Sequence, residues 1–374
     1  MENRARSRSW LIVNPAFNRR GGQELANFEL AHALVKAGRD VTLVAHDVDP
    51  LLVSDGAKAV CVPRPLKSAF LGERALERVA WRERSRLPGN AVFVGNSGNC
   101  PGASVSWVHF VHAAWAGDLE NPKPGVRTIH RLRKLDALRR ERLAMQAASV
   151  VVANSEKTKA ELSGLLGVPS DKIVRIYFGA SVPSKASQVP ENSTARTLLF
   201  VGALGWDRRK GLDIALQALA VLVRRGALRH RLVVAGAGTA GPWRALAERL
   251  GVGTQVTFLD FVDDVTGLLT NADLLISPSR YESYGLAIQE AVCAGVPPLV
   301  LANRVGFMER LPRVQEVFSV PTEEPDVWAE RIRASLERLS ILREQTMTAR
   351  EFILSRSWSD FAREFIAVGE DCAP

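Results

Sequence analysis

The stretch Ser277–Val300, SPSRYESYGLAIQEAVCAGVPPLV, contains a strand end, a loop, a helix and the start of another strand. Leu274–Ser277 is apolar and β-rich. The helix opens near Tyr284-Gly285 and closes at Gly295, just ahead of Pro297-Pro298, and Leu299–Ala302 is apolar again. Two short apolar runs joined by a helix predict parallel strands. Glu282 stands just before the helix and Glu290 within it, with seven residues between them. At a helix start the N–H groups of Ser283, Tyr284, Gly285 and Leu286 have no partner one turn back, so they can hold an anion such as a diphosphate. Gly285 lets a ligand approach the backbone closely. For an arbitrary pair of glutamates, solvated helix surface is the plainer reading. Here the strand, the glycine and the proline-terminated helix favour a ligand site.

The same alternation extends in both directions. Trp10–Val13, Val41–Ala45, Ala91–Val94, Val105–Val111 and Val150–Ala153 read as strands, and Gln23–Ala37 as a helix closed by Gly38. Thr197–Val201, Leu232–Ala235 and Val256–Leu259 follow, with helices from Leu212 and from Pro242. Val- and Leu-rich runs separated by helices predict α/β architecture with parallel sheets. Ser181–Ala195, SVPSKASQVPENSTA, is polar, rich in serine and proline, and aperiodic, as a linker is. At 374 residues the chain exceeds the ~250–300 that one core supports. The predicted division is 1–184, 185–350 and a terminal segment 351–374. Ligands of open parallel sheets sit at the carboxyl ends of the strands, so the loops there carry the chemistry.

Hydrophobic content of 47% and charged content of 24% are those of a globular protein. Cys61, Cys100, Cys293 and Cys372 lie far apart, with no CxxC pair and no Cys/His cluster, so a reducing compartment and no structural metal are expected. The basic MENRARSRSW start is followed only by Leu11-Ile12-Val13 before Asn14-Pro15, too short for a secretory h-region. No run approaches the ~20 apolar residues of a bilayer span. A cytoplasmic protein is expected, with contact at the inner face of a membrane left open. The net charge of +9 favours an anionic partner. Without a zinc-finger, helix-turn-helix or RNP pattern, nucleic acid is not expected.

Three further loops stand at predicted carboxyl ends. Val201–Leu212, VGALGWDRRKGL, crowds Arg208, Arg209 and Lys210 into the turn before a helix, where cations can neutralise charge on a leaving diphosphate. Asn14–Glu24, NPAFNRRGGQE, opens a helix at Gly21-Gly22, either as a simple tight turn or as a place where backbone meets a phosphate. Trp107–Trp115, WVHFVHAAW, carries His109 and His112. In a continuing strand these face opposite sides, so at most one points toward a ligand.

The spacing of Glu282 and Glu290, with the alanine- and glycine-containing helix end after them, resembles the family 4 glycosyltransferases of the GT-B fold, in which two Rossmann-like domains with parallel sheets face each other across a cleft. The resemblance implies that Glu282 contacts hydroxyls of the transferred sugar and Glu290 the donor ribose. It implies that the amides of Ser283–Leu286 line the sugar and diphosphate, and that Lys210, before Gly211, stabilises the leaving group. Many members place an arginine directly after the strand's glycine. Here Gly202 is followed by Ala203, and Arg209 is the substitute. The glycine pair Gly21-Gly22 matches the family's pair after the first strand, and His112 matches its histidine better than His109 does. VVANSE at 150–155, IYFG at 176–179, GFME at 306–309 and the terminal Trp358–Phe365 extend the likeness over most of the chain. The implied reaction moves a hexose from a nucleotide diphosphate sugar to a glycan, lipid-linked or small-molecule acceptor. The anomeric configuration is retained, and neither metal nor cofactor takes part.

Two passages pull elsewhere. Gly236-x-Gly238-x-x-Gly241 follows a strand, with Asp260 nineteen residues past Gly241, and this is the pattern of a dinucleotide-binding fingerprint. It keeps an NAD-dependent oxidoreductase open, and a non-catalytic sugar-nucleotide-binding protein of the same fold is the other alternative. Pro122–Met145 is a basic helix with Leu132, Leu135 and Leu138 at helical spacing among Arg131, Arg133, Lys134, Arg139, Arg140 and Arg142. It reads either as a helix packed through its leucines or as a contact with an anionic membrane surface.

Overall fold

The computed structural model describes residues 8–115, 117, 124–183, 195–205, 208–226 and 229–372. Most of the expected linker, the proposed boundary at 184/185, the basic residues 1–7, the start of the 122–145 segment, and Trp206 and Asp207 lie outside these.

The described residues fall into two compact units. One comprises the chain up to Gly179, apart from Gly117, together with Ser357 onward; the other runs from Ala180 to Arg356. The terminal helix therefore belongs to the first unit. It starts at Trp358, because residues 351–354 complete a preceding helix, Leu339–Leu354.

In the first unit seven parallel strands form one sheet: β1 (Trp10–Val13), β2 (Val41–Ala45), β3 (Lys58–Cys61), β4 (Val92–Asn96), β5 (Val105–Val108), β6 (Val150–Ala153) and β7 (Ile173–Arg175), in the order β3-β2-β1-β4-β5-β6-β7. Trp10 sits opposite both Val41 and Val92, which sets the register of the three central strands. Every residue of β1, β2, β4, β5 and β6 is buried, as strands covered by helices on both faces must be. Among the covering helices are α1 (Gly22–Lys36), α2 (Ala69–Arg84) and α3 (Pro124–Ala147).

The second unit repeats the plan with β8 (Thr197–Val201), β9 (Arg231–Ala235), β10 (Val256–Leu259), β11 (Leu274–Ser277), β12 (Pro298–Leu301) and β13 (Ser319–Val320), ordered β10-β9-β8-β11-β12-β13, all parallel. The order reverses at β8, so β8 and β11 are neighbours and the loops leaving their carboxyl ends meet. Helices α4 (Leu212–Arg224), α5 (Gly241–Arg249) and α6 (Leu286–Cys293) follow β8, β9 and β11. A last helix, α7 (Trp358–Asp371), opens with a capping box in which Ser357 and Asp360 bond each other's backbone N–H. It adds Trp358, Phe361 and Phe365 to an aromatic cluster with Trp107 and Phe178 in the first unit.

Candidate active site

In the second unit the basic turn and the glutamate loop lie against each other because a glycine permits it. Arg208–Lys210 forms one 3-10 turn, and Gly211 then adopts φ +72°. A Cβ at Gly211 would stand 2.0 Å from the carbonyl oxygen of Pro278, just past β11. Only a residue without a side chain brings the turn this close. The Lys210 stem runs beside Gly202, its Cγ and Cδ 3.3 Å from where a Cβ would be. Lys210 Nζ ion-pairs with Glu282 Oε1, Arg209 Nη1 stands 3.9 Å from Oε2, and Ser279 Oγ donates to Oε1 at 3.2 Å. Burial pushes the Glu282 carboxyl up, but Lys210 and Arg209 outweigh it and hold the group below its ordinary value. The result is an ionised carboxylate between two cations.

The backbone of this loop is pinned from the next connection. Glu282 N–H donates to Arg304 O at 2.9 Å, Gly306 N–H to Glu282 O at 3.3 Å, and Phe307 N–H to Tyr284 O at 2.8 Å. Gly285, at φ +107°, turns the chain into α6. Among the described residues no backbone acceptor meets the N–H groups of Gly285 and Leu286. The Tyr284 side chain points into the core: its hydroxyl donates to Gln289 Oε1 at 2.5 Å and accepts from Arg310 at 3.3 Å, and its ring packs edge-on against Phe307. Ser283 is buried as well, so these two could serve a ligand only through their backbone.

Glu290 lies one turn into α6 and makes neither a side-chain hydrogen bond nor an ion pair with any described residue. Burial, followed by the charge of Asp264, pushes its carboxyl up to about 7. The two glutamates thus share one helix entrance with opposite electrostatics. Glu282 is fixed and charged, whereas Glu290 is half-buried, its carboxyl raised by burial.

The sequence reading missed Arg280. Its Nη1 and Nη2 bond Asp213 at 2.9 and 2.8 Å, Nη1 also reaches Arg208 O at 2.7 Å, and its Nε bonds Glu323 at 2.7 Å. Its backbone N–H donates to Arg209 O at 2.8 Å. Burial would depress the guanidinium, but Asp213 and Glu323 hold it above its ordinary value. Arg280 therefore fastens the basic turn and the first turn of α4 to the segment carrying Glu282. A fork-shaped cation two residues before Glu282 was the only available signal, and its partner Asp213 is remote in sequence.

Gly236 and Gly238 have a structural explanation. A Cβ on Gly236 would lie 1.8 Å from Gly202 O, and one on Gly238 would lie 2.6 Å from Leu204 O. Leu204 and Gly238 form an isolated parallel bridge. The space that these glycines open is filled by this chain's own β8 loop, where a dinucleotide's pyrophosphate would have to lie.

In the first unit β5 ends at Val108, so the alternation argument for His109 and His112 does not apply; the strand expected to reach Val111 stops short. His109 is buried and packs on Trp107 and Phe178, and burial pushes it down to about 3. His112 is half-exposed, its backbone N–H bonding Glu141 Oε1 at 2.8 Å with Nδ1 3.3 Å from the same oxygen. Gly21 is extended at φ −158° and Gly22 begins α1. A Cβ at Gly21 would meet the Glu24 carboxylate at 2.4 Å, so a side-chain anion already lies at this helix start.

Helix α3 corrects two expectations. Arg140 is not part of a surface patch. It is buried, with Nε bonding Gly98 O at 2.9 Å and Nη2 bonding Glu77 at 2.8 Å and Asn99 O at 3.0 Å. Nor do the leucines pack the helix down as a stripe: Leu132 and Leu135 are 62% and 55% exposed, and only Leu138 is half-buried. The inward face is Arg140, Glu141, Ala144 and Met145, with Glu141 held by the backbone N–H groups of His112 and Ala113.

Residues 11–365 match a family described as Family 4 Glycosyltransferase in conflict systems. The chain belongs to this family. Over 244 residues it is 27% identical to an uncharacterized glycosyltransferase of Methanocaldococcus jannaschii, a match spanning 61% of each protein. The crystal structure of WaaG, described as a glycosyltransferase involved in lipopolysaccharide biosynthesis, aligns with a TM-score of 0.76 at 20% identity, covering 96% of this chain and 99% of that one. Anabaena Alr3699/HepE, solved in complex with UDP-glucose, aligns with a TM-score of 0.71 at 19% identity over 96% and 98%. These likenesses show that this family 4 chain has the GT-B fold.

Proposed function

We propose that this chain transfers a hexose from a nucleoside diphosphate sugar to an acceptor, with retention of anomeric configuration and without a metal. The observation that carries the reading is Glu282 held between Lys210 and Arg209 where the loops of β8 and β11 meet, with Glu290 one helical turn beyond. Lys210 and Arg209 stabilise the departing diphosphate, the task a metal performs in other transferases. Glu282 accepts hydrogen bonds from the hexose hydroxyls, Glu290 from the ribose, and the N–H groups at Gly285 and Leu286 face the phosphates. The bond from the anomeric carbon to the diphosphate breaks, and the bond to the acceptor oxygen forms on the same face. The acceptor's proton passes to the leaving phosphate oxygen, so no protein base is required. The UDP-glucose complex of HepE supports a nucleotide-sugar donor.

A thermal-shift panel of UDP-, GDP- and ADP-sugars beside NAD tests the donor, since a ligand that binds the native state raises its stability. Stabilisation by a nucleotide sugar and not by NAD is expected; stabilisation by NAD alone would overturn the reading in favour of the oxidoreductase.

Exposed Leu132, Leu135 and Leu143 share a helical face of α3 with Arg139 and Arg142, and this favours a second role, peripheral contact with an anionic membrane. Among the described residues no helix is long and apolar enough to cross one. Each basic residue near such a surface contributes about 1 kcal/mol, screened by salt. Reversing Arg139 and Arg142 to Glu is expected to weaken binding to phosphatidylserine vesicles, most at low salt. Binding indifferent to charge reversal and salt refutes the contact.

A further inference from the structure

Glu141, on the inward face of α3, is fully buried. Among the described residues its hydrogen bonds all fall on one short 3-10 turn, His112–Ala114, just past β5. Oε1 accepts from the His112 N–H at 2.8 Å and Oε2 from the Ala113 N–H at 3.2 Å, and His112 Nδ1 stands 3.3 Å from Oε1. The carboxylate has no room to slide away from the ring. Arg140 bonds the carbonyls of Gly98 and Asn99, and a Cβ at Gly98 would stand 3.1 Å from the Glu141 nitrogen, so α3 is pressed against the loop after β4 at this point. Phe110 meets the imidazole edge-on, with ring centroids 5.0 Å apart. The His112 side chain is nevertheless 41% exposed, and its Nε2 has no hydrogen-bond partner among the described residues. The ring is therefore held from behind and open in front, in a loop at the carboxyl end of a parallel strand, where ligands of such sheets bind.

A neutral imidazole carries its proton on one nitrogen, and the bond which that nitrogen makes fixes the role of the other. An ionised carboxylate only accepts, so a nitrogen facing it holds the proton and the opposite nitrogen keeps a bare lone pair. We infer that Glu141 is a positioning residue: it fixes His112 with the proton on Nδ1, so that Nε2 accepts a hydrogen bond from a substrate hydroxyl during transfer. The inference rests on reading the chain as a glycosyltransferase. The contact is a hydrogen bond and not a proton transfer, so the acceptor's proton still passes to the leaving phosphate oxygen. The plainer role of Glu141 is to cap two backbone N–H groups of the turn, and the two roles part in experiment.

The test uses the whole chain with nitrogen-15 in its histidines, observed by NMR at a pH of about 8.5, well above the ordinary imidazole value of about 6.5. His112 is recognised among the six histidines by the signal that His112→Ala removes. In the parent a protonated Nδ1 and a bare Nε2 are expected. In Glu141→Gln, whose amide donates as well as accepts, the form protonated on Nε2 should appear. Turnover is followed as release of the nucleoside diphosphate from UDP-, GDP- or ADP-glucose with water as acceptor. His112→Ala and Glu141→Gln are each expected to lower it about tenfold. The double variant should lose no more turnover than His112→Ala alone, while the fall in unfolding midpoint caused by Glu141→Gln persists in it, because the backbone N–H groups remain. A change at Nε2 with the nucleotide sugar but not with the nucleoside diphosphate assigns the hydroxyl to the sugar; no change with either assigns it to the acceptor. The proposal is overturned if the parent is protonated on Nε2, if its tautomer ignores Glu141→Gln, if His112→Ala leaves turnover unchanged, or if the two losses of turnover multiply. If no nucleotide sugar is bound or turned over, the transferase reading fails, and the tautomer alone decides the pairing of Glu141 with His112. Normal turnover beside a parent protonated on Nε2 sinks this inference alone.

Discussion

Donor affinity should depend on pH through Glu290. In the free protein burial and Asp264 place its carboxyl at about 7, whereas a carboxylate accepting ribose hydroxyls is favoured in its ionised form. Donor binding must therefore expel a proton whenever the pH lies below 7. With a free-state value of about 7, roughly nine in ten molecules are protonated at pH 6 and about ninety-nine in a hundred at pH 5, so affinity falls about tenfold per pH unit, to about a hundredfold at pH 5. The sign is fixed: affinity rises with pH and levels off above about 7.5. Calorimetry with the nucleotide sugar chosen by the panel, repeated in buffers of different ionisation enthalpy, should count about 0.9 proton released per donor at pH 6. Glu290→Gln, which keeps an acceptor but cannot ionise, should bind more weakly than the parent at pH 8 and with no pH dependence from pH 5 to 8. A parent whose affinity is flat from pH 5 to 8, or a Gln variant that keeps the slope, refutes the assignment of Glu290 to the ribose.

Lys210→Ala should lower turnover by roughly 10²–10³, with a modest fall in unfolding midpoint as Glu282 loses its main partner, because its charge is needed most as the diphosphate departs; unchanged single-turnover kinetics at saturating donor would contradict this. Arg280→Ala leaves the buried Asp213 only the longer contact to Arg208, at 3.7 Å, and should cost about 3 kcal/mol by denaturant unfolding, while the Arg280→Ala/Asp213→Ala double variant should recover part of that loss. Additive losses would show that Arg280 does not hold the turn through Asp213. Transfer should persist in excess EDTA, since Lys210 and Arg209 supply the positive charge at the diphosphate. Loss of activity that magnesium restores would assign that task to a metal instead.

The sheet strands were legible because helices cover both faces, so Trp10–Val13 and Leu274–Ile276 are apolar at every position, and short all-apolar runs stand out in sequence. The weakly patterned ones were not. Lys58–Cys61 at the sheet edge is partly exposed along its length, and its apolar residues, Ala59-Val60-Cys61, are small and hemmed in by Lys58 and Pro63. The strand at Val105 was drawn too long because Phe110 and Val111 continue its apolar character, although the backbone has already left the sheet at His109. That Glu282, Lys210 and Arg209 stand in loops at strand ends was legible from the local order of strand, glycine-bearing turn and helix, but their contact with one another, across seventy-two residues for Lys210 and Glu282, was not. Arg280 was not, because what makes it matter is Asp213, sixty-seven residues away. Helix α3 misled for the same reason. Periodicity assigns charges outward and leucines inward, but Arg140 finds Glu77 and the carbonyls of Gly98 and Asn99, and Glu141 finds two backbone N–H groups. A buried charge with long-range partners is tolerated where a one-dimensional pattern forbids it.

The glycine fingerprint at Gly236–Gly241 shows where sequence reading of a ligand motif stops. A glycine reports that something approaches the backbone closely, and the sequence cannot tell whether that something is a ligand or another part of the chain. At Gly285 a Cβ would meet the Val305 and Ile288 side chains at 3.0 and 3.1 Å, while the N–H groups of Gly285 and Leu286 meet no backbone acceptor among the described residues. At Gly236 and Gly238 the visitors are the carbonyls of Gly202 and Leu204. The β8 loop is thereby locked to the β9 loop just ahead of Arg209 and Lys210, so the dinucleotide-like glycines help to fix the two cations on which the proposed chemistry depends. Gly238→Ala, at φ +134° with its Cβ 2.6 Å from Leu204 O, should therefore impair donor use by displacing this turn. NAD affinity should be absent before and after. A Gly238→Ala variant with normal donor kinetics would detach the fingerprint from the site and leave it as sheet packing alone.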